Sequence, residues 1–287
     1  MAEIEVVGLN YYPIKSCGGV EASQVVFNEF GIEYDREWML VGSKGQFLSQ
    51  RVHPELALVQ TRIEDGHLIA NAPRVGELAL SLVRDPDADI IPVNLWNKPG
   101  SGTHIPEASH YFSDYLSKDV RLLRVAQPRI IKPECHVDGA SQRTGFADGF
   151  PMLLTATDSL RALNKHLTQP ITIDRFRSNI VVEGAPAYDE DYWREIRIGH
   201  LRAYVVQACA RCPIPNISQD DGKLYKERPV TDALRETRQG IDRVSDKPGE
   251  FFGQNVTHVF EPGMTVSVGD MVSVIERDSE RNIELAA

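Results

Sequence analysis

Short alternating runs of apolar and polar residues dominate the first hundred positions and predict strands. Turn-forming residues separate the runs, and Asp65-Gly66 in particular predicts a hairpin. The predicted strands are Glu3 to Leu9, Ser23 to Phe27, Glu37 to Val41, Gln46 to Gln50, Leu56 to Ile63 and His67 to Ala70. We therefore expect this part of the chain to be an all-β lobe.

Apolar residues at helical spacing occur at two places after this lobe. One stripe starts at Pro106, a residue suited to a first helical turn, and ends at Leu116. The other follows Thr157, which is predicted to be the N-cap of a second helix. A further helix is predicted after Thr231, inside a long polar connection between Ser218 and Asn255.

More strands are predicted in the second part of the chain, so the architecture is expected to be mainly β (α+β). These strands are Ile171 to Ile173, Asn179 to Val182, Arg194 to Ile198, Leu201 to Val206 and a terminal hairpin over residues 263–276. Many short strands with few helices favour a barrel over a doubly wound sheet. Pro and Gly interrupt the pattern between Asn97 and Gly102, which predicts two domains, residues 1–100 and 101–287.

Composition and charge narrow the class of protein. The 287 residues exceed the size of one ordinary core, and 42% hydrophobic with 25% charged residues is typical of a compact globular protein. The formal net charge of -10 argues against nucleic acid as a partner, because binding a polyanion requires an excess of Lys and Arg. A small anion site is still compatible with this charge, since a few cations can converge in one pocket.

The cysteines and the absence of targeting signals bear on the cellular compartment. The sequence shows neither an export signal nor an apolar stretch of membrane-spanning length. Four cysteines are too few for a disulfide scaffold in a chain of this size; they are Cys17, Cys135, Cys209 and Cys212. We therefore expect free thiols, no membrane span and a cytoplasmic location.

The segment ACARCPIPN is the most specific chemical feature of the sequence. A predicted strand delivers Cys209, Arg211 and Cys212 onto a loop that two prolines hold extended. A neighbouring guanidinium favours the thiolate, which is the form that binds soft metals such as molybdenum, copper or zinc. Cys212 is therefore the leading candidate for a metal ligand.

Other interpretations of this cysteine pair stay open. The two thiols can simply be a half-buried pair at a strand end. A structural zinc site needs four ligands, and the remaining cysteines, Cys17 and Cys135, are far apart in the sequence. A thioredoxin-like pair is disfavoured because no helix is predicted to start at Cys209.

Three further segments place polar or cationic side chains next to predicted strands. YPIKSCGGV carries Lys15 and Ser16, YDREWMLV carries Arg36, and RFRSN carries Arg177 and Asn179. Arg suits bidentate binding of phosphate, Lys adds a point charge, and Ser and Asn can bind the edge of a heterocycle. Taken singly, each cation can instead pair with a nearby acid such as Asp35 or Asp174, or be solvated. Taken together with a thiolate, they predict a site for a phosphorylated, metal-bearing heterocycle.

These segments, in this order, resemble those of MOSC proteins. The resemblance rests on YPIKSC, YDREWMLV, FADGFPMLLT, RFRSNIVVEG, CARC, FFGQN and PGMTVSVGD, and it covers nearly the whole chain. The chain is similar to the two-part members, namely the mitochondrial amidoxime-reducing component and its bacterial relatives. The resemblance implies an N-terminal MOSC β-barrel region followed by a C-terminal MOSC β-barrel with a few helices.

The resemblance also implies a cofactor and an activity. The cofactor is a molybdenum cofactor (Mo-molybdopterin), and the reaction is the reduction of N-hydroxylated substrates such as amidoximes, hydroxylamines and N-hydroxylated bases. By position, Cys212 is implied as the molybdenum ligand. The implied cofactor-binding residues are Lys15, Ser16, Arg36, Thr157, Arg177, Asn179, Arg211 and Asn255, with Arg51 as a further member. Asp148 of FADGF, or an acid of the Asp220-Asp221 loop, is a candidate proton donor.

Two departures and one alternative accompany this resemblance. Ala210 stands where relatives often have Ser, and SQDDG replaces the usual V-D-P-x-T-G, which puts the substrate preference in doubt. No ferredoxin-like cysteine cluster follows the predicted MOSC domain, so we expect an external electron-transfer protein, either a flavin reductase or a haem or iron-sulfur carrier. The alternative is a non-catalytic carrier of the cofactor or of sulfur that uses Cys212 and Cys209.

Overall fold

The computed structural model describes residues 3–96, 98–137, 142–225 and 229–286, and strands are its main element. The strands are β1 Ile4–Tyr11, β2 Val20–Ala22, β3 Gln24–Asn28, β4 Gly31–Ile32, β5 Trp38–Gly42, β6 Gln60–Glu64, β7 His67–Ala72, β8 Gly76–Ser81, β9 Ile90–Leu95, β10 Lys98–Ile105, β11 Val120–Gln127, β12 Arg129–Ile130, β13 Arg143–Thr144, β14 Met152–Ala156, β15 Ile180–Glu183, β16 Trp193–Ile198, β17 Leu201–Ala210, β18 Gln239–Asp242, β19 Lys247–His258, β20 Thr265–Ser267, β21 Met271–Arg277 and β22 Ile283–Leu285.

Helices are few and short in the described ranges. The α-helices are α1 Pro106–Leu116, α2 Thr157–Asn164 and α3 Pro229–Arg238. Short 3-10 helices cover Pro54–Leu58, Pro133–Cys135, Ile173–Phe176, Asp189–Tyr192 and Ile214–Asn216. The predicted mainly β architecture is confirmed.

Seven strands close into a barrel. Their order is β14, β15, β1, β21, β16, β17 and β19, and the antiparallel pairing of β14 with β19 closes the ring. The other neighbours are antiparallel as well, except β14 and β15, which pair in parallel. Closure leaves the ring itself without an open edge, so each strand has a hydrogen-bonded neighbour on both sides.

Side-chain alternation explains how these strands fill the barrel. In β16 the residues Ile196 and Ile198 are fully buried, while Arg197 between them is exposed. In β17, Leu201 and Ala203 are equally buried and join the same apolar core. Because strand side chains alternate between faces, a pattern of period two places one set inside the barrel and the other outside.

A four-stranded half-barrel forms the second lobe. Its order is β5, β11, β10 and β9, and both faces of β5, which stands at one end of this order, are buried. Trp38 and Leu40 pack on one side with Phe112 of α1, whereas Met39 and Val41 pack on the other side. A strand buried on both faces needs a nearly continuous apolar run, which WMLVG provides.

The first strand of the chain belongs to the barrel rather than to the half-barrel. It pairs with β15 and β21, which lie far along the sequence. The stretch predicted to separate the lobes is part of a hairpin, because residues 98–102 lie in β10, which pairs with β9. The predicted division between residues 1–100 and 101–287 stays a prediction, and these pairings cross it; Asn97 lies outside the described residues.

Several local predictions were wrong, each for an identifiable reason. Gln46 to Gln50 forms only isolated bridges, and Leu56 to Ile63 divides into a 3-10 helix that Pro54 starts and the strand β6. The segment predicted as a strand at Ile171 to Ile173 leads into the 3-10 helix Ile173–Phe176 instead. The polar connection between Ser218 and Asn255 contains β18 and most of β19, whose apolar residues are too few to mark a strand by pattern.

Two turn and cap assignments also differ. The strands on either side of Gly269 do not form a hairpin, because β20 pairs with β3 whereas β21 pairs with β1 and β16. Thr157 is the first residue of α2 rather than its N-cap, a position that Ala156 occupies. No helix in the described ranges is both long and apolar enough to cross a membrane.

A buried cluster of ionisable groups sits beside the barrel. Arg238 and Asp191 form an ion pair at 2.7 Å with side chains that are 2% and 1% exposed. Glu190 is equally buried, and both its carboxylate oxygens accept hydrogen bonds from the Ser159 hydroxyl, at 2.7 and 2.9 Å. Burial, together with the charge of Asp191, raises the pKa of Glu190 to about 7.

This raised pKa predicts that stability falls with rising pH. Folded Glu190 retains its proton up to about pH 7, whereas the unfolded side chain loses it near its ordinary value of 4.5. The folded state is therefore favoured at the low end of this window, and about 3 kcal/mol of that advantage is lost as pH rises through it. In Glu190→Gln, urea denaturation at several pH values is expected to show this dependence reduced. The exposed Glu236→Gln is the control, and equal pH profiles for both variants would contradict the prediction.

Candidate functional site

The segment that follows β1 carries the first two predicted site residues between the two lobes. The Lys15 amide donates a hydrogen bond to the Trp38 carbonyl at 2.7 Å, next to a parallel bridge between Ile14 and Trp38. Ser16 adopts a left-handed backbone (φ 71°). Gly18 then passes so close to the Val59 carbonyl that a Cβ would lie 2.7 Å from its oxygen. These contacts leave Lys15 and Ser16 at the seam between barrel and half-barrel.

Two guanidinium groups lie over one buried tyrosine ring. The Cζ atoms of Arg36 and Arg177 are 4.3 and 4.2 Å from the centroid of Tyr12, which is 4% exposed. Both arginines have left-handed backbones, with φ of 49° and 56°. Non-glycine residues rarely adopt this conformation, and it is concentrated at functional sites. The two cations, predicted from separate segments, are therefore neighbours.

The Asn179 side chain holds Arg36 in its position beside Arg177 through hydrogen bonds. Its side-chain oxygen accepts from Arg36 Nη1 at 2.9 Å and from the Leu153 amide at 3.1 Å. Its amide nitrogen donates to the Asn10 carbonyl at 3.1 Å and to Asp35 Oδ1 at 3.0 Å. All its donors and acceptors are thus satisfied by the protein, so we expect Asn179 to position Arg36 rather than to bind the heterocycle itself.

The two arginines differ in how many of their hydrogen-bond donors have partners within the protein. Arg36 pairs with Asp35, with Nη1 2.7 Å from Oδ1, and also donates to the Arg177 carbonyl at 3.1 Å. Arg177 is 9% exposed, and its Nη2 has no hydrogen-bond partner in the described part of the chain. Burial lowers the pKa of Arg177 to about 10, which still leaves it charged at neutral pH. Arg177 therefore presents an unsatisfied buried cation.

Two more buried donors at predicted site residues lack partners. Thr157 Oγ1 and Arg211 Nε make no hydrogen bond with any described residue. A buried polar group without a partner is costly and is rare in folded proteins unless a ligand or water satisfies it. With Arg177 Nη2, three of the eight such atoms in the described residues belong to the predicted cofactor-binding set. Arg211 lies next to Arg177, because its Nη2 donates to the Phe176 carbonyl, and these two guanidinium groups indicate a site that a ligand with acceptor atoms completes.

The cysteine loop is fixed by its neighbours rather than by its prolines alone. The amide of Arg211 donates to the Glu250 carbonyl at 2.8 Å, and its Nη2 donates to the Phe176 carbonyl at 2.9 Å. Arg175 Nη1 donates to the Pro215 carbonyl at 3.3 Å. Cys212 follows β17 and is partly exposed, as the sequence predicts for a presented thiol.

Arg211 contacts the other cysteine of the loop. Its Nη1 lies 3.1 Å from Cys209 Sγ, so the guanidinium expected to favour the thiolate of Cys212 is directed at Cys209. Burial raises the pKa of Cys209, and Arg211 counteracts this. All four cysteines are free thiols in this structure.

Asp148 forms an ion pair with Lys15, and this argues against its proposed role as proton donor. Lys15 Nζ donates to Asp148 Oδ1 and, at 2.9 Å, to the Phe146 carbonyl. Partial desolvation by the surrounding atoms raises the pKa of Asp148, but the charge and hydrogen bond of Lys15 lower it further, so the pKa lies well below its ordinary value. Asp148 is therefore ionised at neutral pH, and the proton of the pair resides on Lys15 Nζ. The other candidate acid, Asp221, has its pKa lowered to about 2 by Lys223.

The remaining predicted residues lie around this centre. Asn255, in β19, donates from Nδ2 to the Ala208 carbonyl at 3.3 Å, one residue before Cys209. The carbonyl of Ser16 accepts from Gln50 Nε2 at 2.8 Å, which brings the segment of Arg51 to the same side. Sequence reasoning missed Tyr12 and Gln50 as parts of the site. Tyr12 adjoins YPIKSC in the sequence, but nothing there shows that two guanidinium groups converge on its ring.

A cavity of about 440 Å³ is lined by Asp35 but by neither cysteine of the loop. Its lining also includes Glu37, which accepts from Arg84 Nη2 at 2.8 Å and from Arg124 Nε at 2.7 Å. Both arginines that line this cavity are thus paired with Glu37 within the protein. We therefore place the candidate site at the cysteine loop and the cationic seam.

Both parts of the chain are similar in sequence to known protein domains. Residues 3–119 match the MOSC N-terminal beta barrel domain, and residues 141–273 match the MOSC domain. The chain is 27% identical over 279 residues to mitochondrial amidoxime-reducing component 1 of Xenopus laevis, covering 93% of this chain and 80% of that protein. It is 28% identical over 281 residues to the Mus musculus protein of the same name, covering 94% and 82%. It is also 28% identical over 249 residues to molybdenum cofactor sulfurase of Oryza sativa subsp. japonica, covering 79% of this chain but 30% of that protein.

The hydrogen bonds of Asn179 predict a measurable structural role. Asn179→Ala removes four side-chain hydrogen bonds and leaves Asp35 and Arg36 short of partners, so a loss of about 2–4 kcal/mol in unfolding free energy is expected. Urea denaturation measures this loss. Asn164→Ala is the control, because among the described residues that side chain makes hydrogen bonds only with Ile171, outside the site. A smaller loss for Asn179→Ala than for Asn164→Ala would refute the prediction.

Proposed function

Since this chain belongs to the MOSC-domain proteins, with an N-terminal MOSC β-barrel domain, we propose that it is a molybdenum-cofactor-dependent reductase of N-hydroxylated compounds. The observation that carries the proposal is that buried hydrogen-bond donors without partners occur in the same set of predicted site residues as a partly exposed cysteine thiol. Arg177 Nη2, Thr157 Oγ1 and Arg211 Nε lack partners among the described residues, and Cys212 follows Arg211 directly. The names of the amidoxime-reducing relatives support the choice of reaction.

The donor set fits the chemistry of this cofactor. A phosphate requires cationic donors, and Arg177, backed by Arg36 over the Tyr12 ring, offers them in a buried setting. A pterin edge accepts and donates hydrogen bonds, for which the Thr157 hydroxyl and Arg211 Nε are unoccupied. Molybdenum accepts a soft thiolate ligand, which Cys212 would supply.

In this proposal the residues of the chain have the following roles. Arg177, Arg211 and Thr157 bind the cofactor, and Cys212 holds its metal. Asn179 and Asp35 orient Arg36, while Lys15 Nζ holds a proton beside the ionised Asp148. When bound, the cofactor supplies the two-electron chemistry that removes the oxygen of an N–OH group as water. The electrons come from an external electron-transfer protein, a flavin reductase or a haem or iron-sulfur carrier.

One observation favours a second candidate function. The contact between Arg211 Nη1 and Cys209 Sγ gives Cys209 the cationic neighbour that a sulfur-carrying thiol requires. The similarity to molybdenum cofactor sulfurase agrees with this, although the chain spans less than a third of that protein's length. In this alternative the chain carries the cofactor or sulfur and does not reduce a substrate.

Metal content tests the assignment of Cys212. Protein produced in a host that synthesises the cofactor is expected to contain molybdenum near stoichiometry, and Cys212→Ser is expected to lose nearly all of it. The physical reason is that a hydroxyl is a much weaker ligand than a thiolate for a soft metal. Mass spectrometry of the digested protein measures the metal, and Cys209→Ser is the matched control that retains it.

The outcomes of this experiment separate the two functions. Molybdenum together with reduction of an N-hydroxylated base in the presence of an artificial electron donor supports the reductase. A protein that contains zinc instead of molybdenum would refute the proposal. Retained molybdenum without reduction of an N-hydroxylated base, together with an added sulfur atom on Cys209 in the intact mass, would favour the sulfur carrier.

Arg177 provides a test of the phosphate-binding residues. Arg177→Ala is expected to lower cofactor content at least tenfold, because a charge-assisted hydrogen bond and the buried cation are lost together. The pterin is released by denaturation and quantified by its fluorescence. Arg74→Ala is the matched control, since Arg74 also has a left-handed backbone (φ 72°) but is exposed in a hairpin away from the site. Equal cofactor content in both variants would remove Arg177 from the site.

A further inference from the structure

An exposed tryptophan stands at the tip of the β9–β10 hairpin. Leu95 pairs with Lys98, and Trp96, which directly follows Leu95, has a left-handed backbone (φ 55°). Two-residue hairpin turns favour Asn, Asp or Gly here, because these residues tolerate a positive φ at little cost. A bulky aromatic residue in this position is strained, and it is 43% exposed as well. Burial in an apolar core therefore does not explain the presence of this ring.

Three contacts nevertheless hold the indole in one orientation. Its Nε1 donates to Asp148 Oδ1 at 2.8 Å, and the Arg51 guanidinium lies 4.1 Å from its ring centroid. The ring of Phe47 packs against it edge-on, with centroids 4.9 Å apart. An exposed side chain that is fixed in this way is preorganised for binding.

These contacts place the indole at the edge of the candidate site. Asp148 is shared between Trp96 and the buried Lys15, and its negative charge also acts on Cys209 of the cysteine loop. Gln50, next to Arg51, donates to the carbonyl of Ser16. The other two neighbours of the indole are joined to the same residues, because the charge of Arg51 acts on Asp148 and Lys15 Nζ lies 5.5 Å from the centroid of the Phe47 ring.

We propose that Trp96 determines substrate specificity, with its indole as the platform on which a planar N-hydroxylated heteroaromatic base stacks beside the metal site. This inference rests on the proposed function and names the substrate class within it. Bases stack well on aromatic side chains and on guanidinium planes, and Trp96 and Arg51 provide both. The Asp148 side chain is 61% exposed, so its carboxylate can also accept a hydrogen bond from the amino group of a base. An aliphatic hydroxylamine gains nothing from such a platform.

The test uses the full-length, cofactor-loaded protein with two substrates. These are N-hydroxylated adenine and the aliphatic N-methylhydroxylamine, reduced with an artificial electron donor. In Trp96→Leu, the KM for N-hydroxylated adenine is expected to rise about tenfold, which corresponds to about 1.4 kcal/mol, with kcat little changed. The KM for N-methylhydroxylamine is expected to stay the same. Trp96→Phe keeps an aromatic face and is expected to retain most of the preference.

A binding measurement makes the result independent of turnover. Of the three tryptophans, Trp38 and Trp193 are 1% and 0% exposed, so Trp96 is the one open to a stacking ligand. Adenine, which has no oxygen to lose, is expected to quench the fluorescence of the wild-type protein and not that of Trp96→Leu. Phe260→Leu, which changes an exposed aromatic residue outside this cluster, is the control and is expected to behave as wild type in both assays.

The outcomes distinguish this inference from the proposed function. Quenching that depends on Trp96, without reduction of either substrate, keeps the platform and rejects the reductase. Reduction of both substrates with equal losses in Trp96→Leu shows a merely structural role and overturns the inference. Unchanged KM values, or quenching by adenine that persists in Trp96→Leu, overturn it as well.

Discussion

The burial of two arginines against one tyrosine ring is the constraint on which the candidate site depends. Arg36 and Arg177 come from distant parts of the chain, and both lie within 4.3 Å of the centroid of Tyr12. Like charges this close repel each other, and burial adds a desolvation cost. Asp35 offsets part of this cost through its ion pair with Arg36, and Asn179 fixes the geometry of both groups. Arg177 Nη2 has no partner among the described residues, and an anionic ligand at this atom would complete the charge balance.

The barrel topology explains why these groups meet. The N-terminal strand β1 pairs with β15, and the residues just before β15 carry Arg177 and Asn179. The chain then leaves β1 through Tyr12 and Lys15 and bridges to β5, which begins shortly after Arg36. Strand pairing within the barrel and a bridge to the half-barrel thereby bring three sequence segments to one seam. A cofactor at this seam would contact both lobes.

Ion pairing changes the chemical roles that individual residues can take. Asp148 is acidic by sequence and suits a proton donor, yet its contact with Lys15 holds it in the ionised form. Arg211 precedes Cys212 in the sequence, yet its guanidinium contacts Cys209. The partner of Asp148 lies on a distant segment, and the Arg211 side chain turns back toward Cys209 within its own loop. The sequence alone does not show either contact. The same contacts leave Asp148 and Trp96 together at the outer edge of the site.

The sequence by itself determined the mainly β class, two of the helices to within a residue at their starts, and the set of segments that carry the chemistry. Local apolar periodicity and recurring motifs carry that information, because they depend on neighbours along the chain. It did not determine the membership of β1 in the barrel, the strand at Lys247–His258 or the 3-10 helix at Ile173–Phe176, since long-range pairing overrides local pattern there. Only the tertiary structure decided which polar atoms are already satisfied. Asn179 is fully bonded and Arg177 is not, and this difference depends on atoms that are far apart in the sequence.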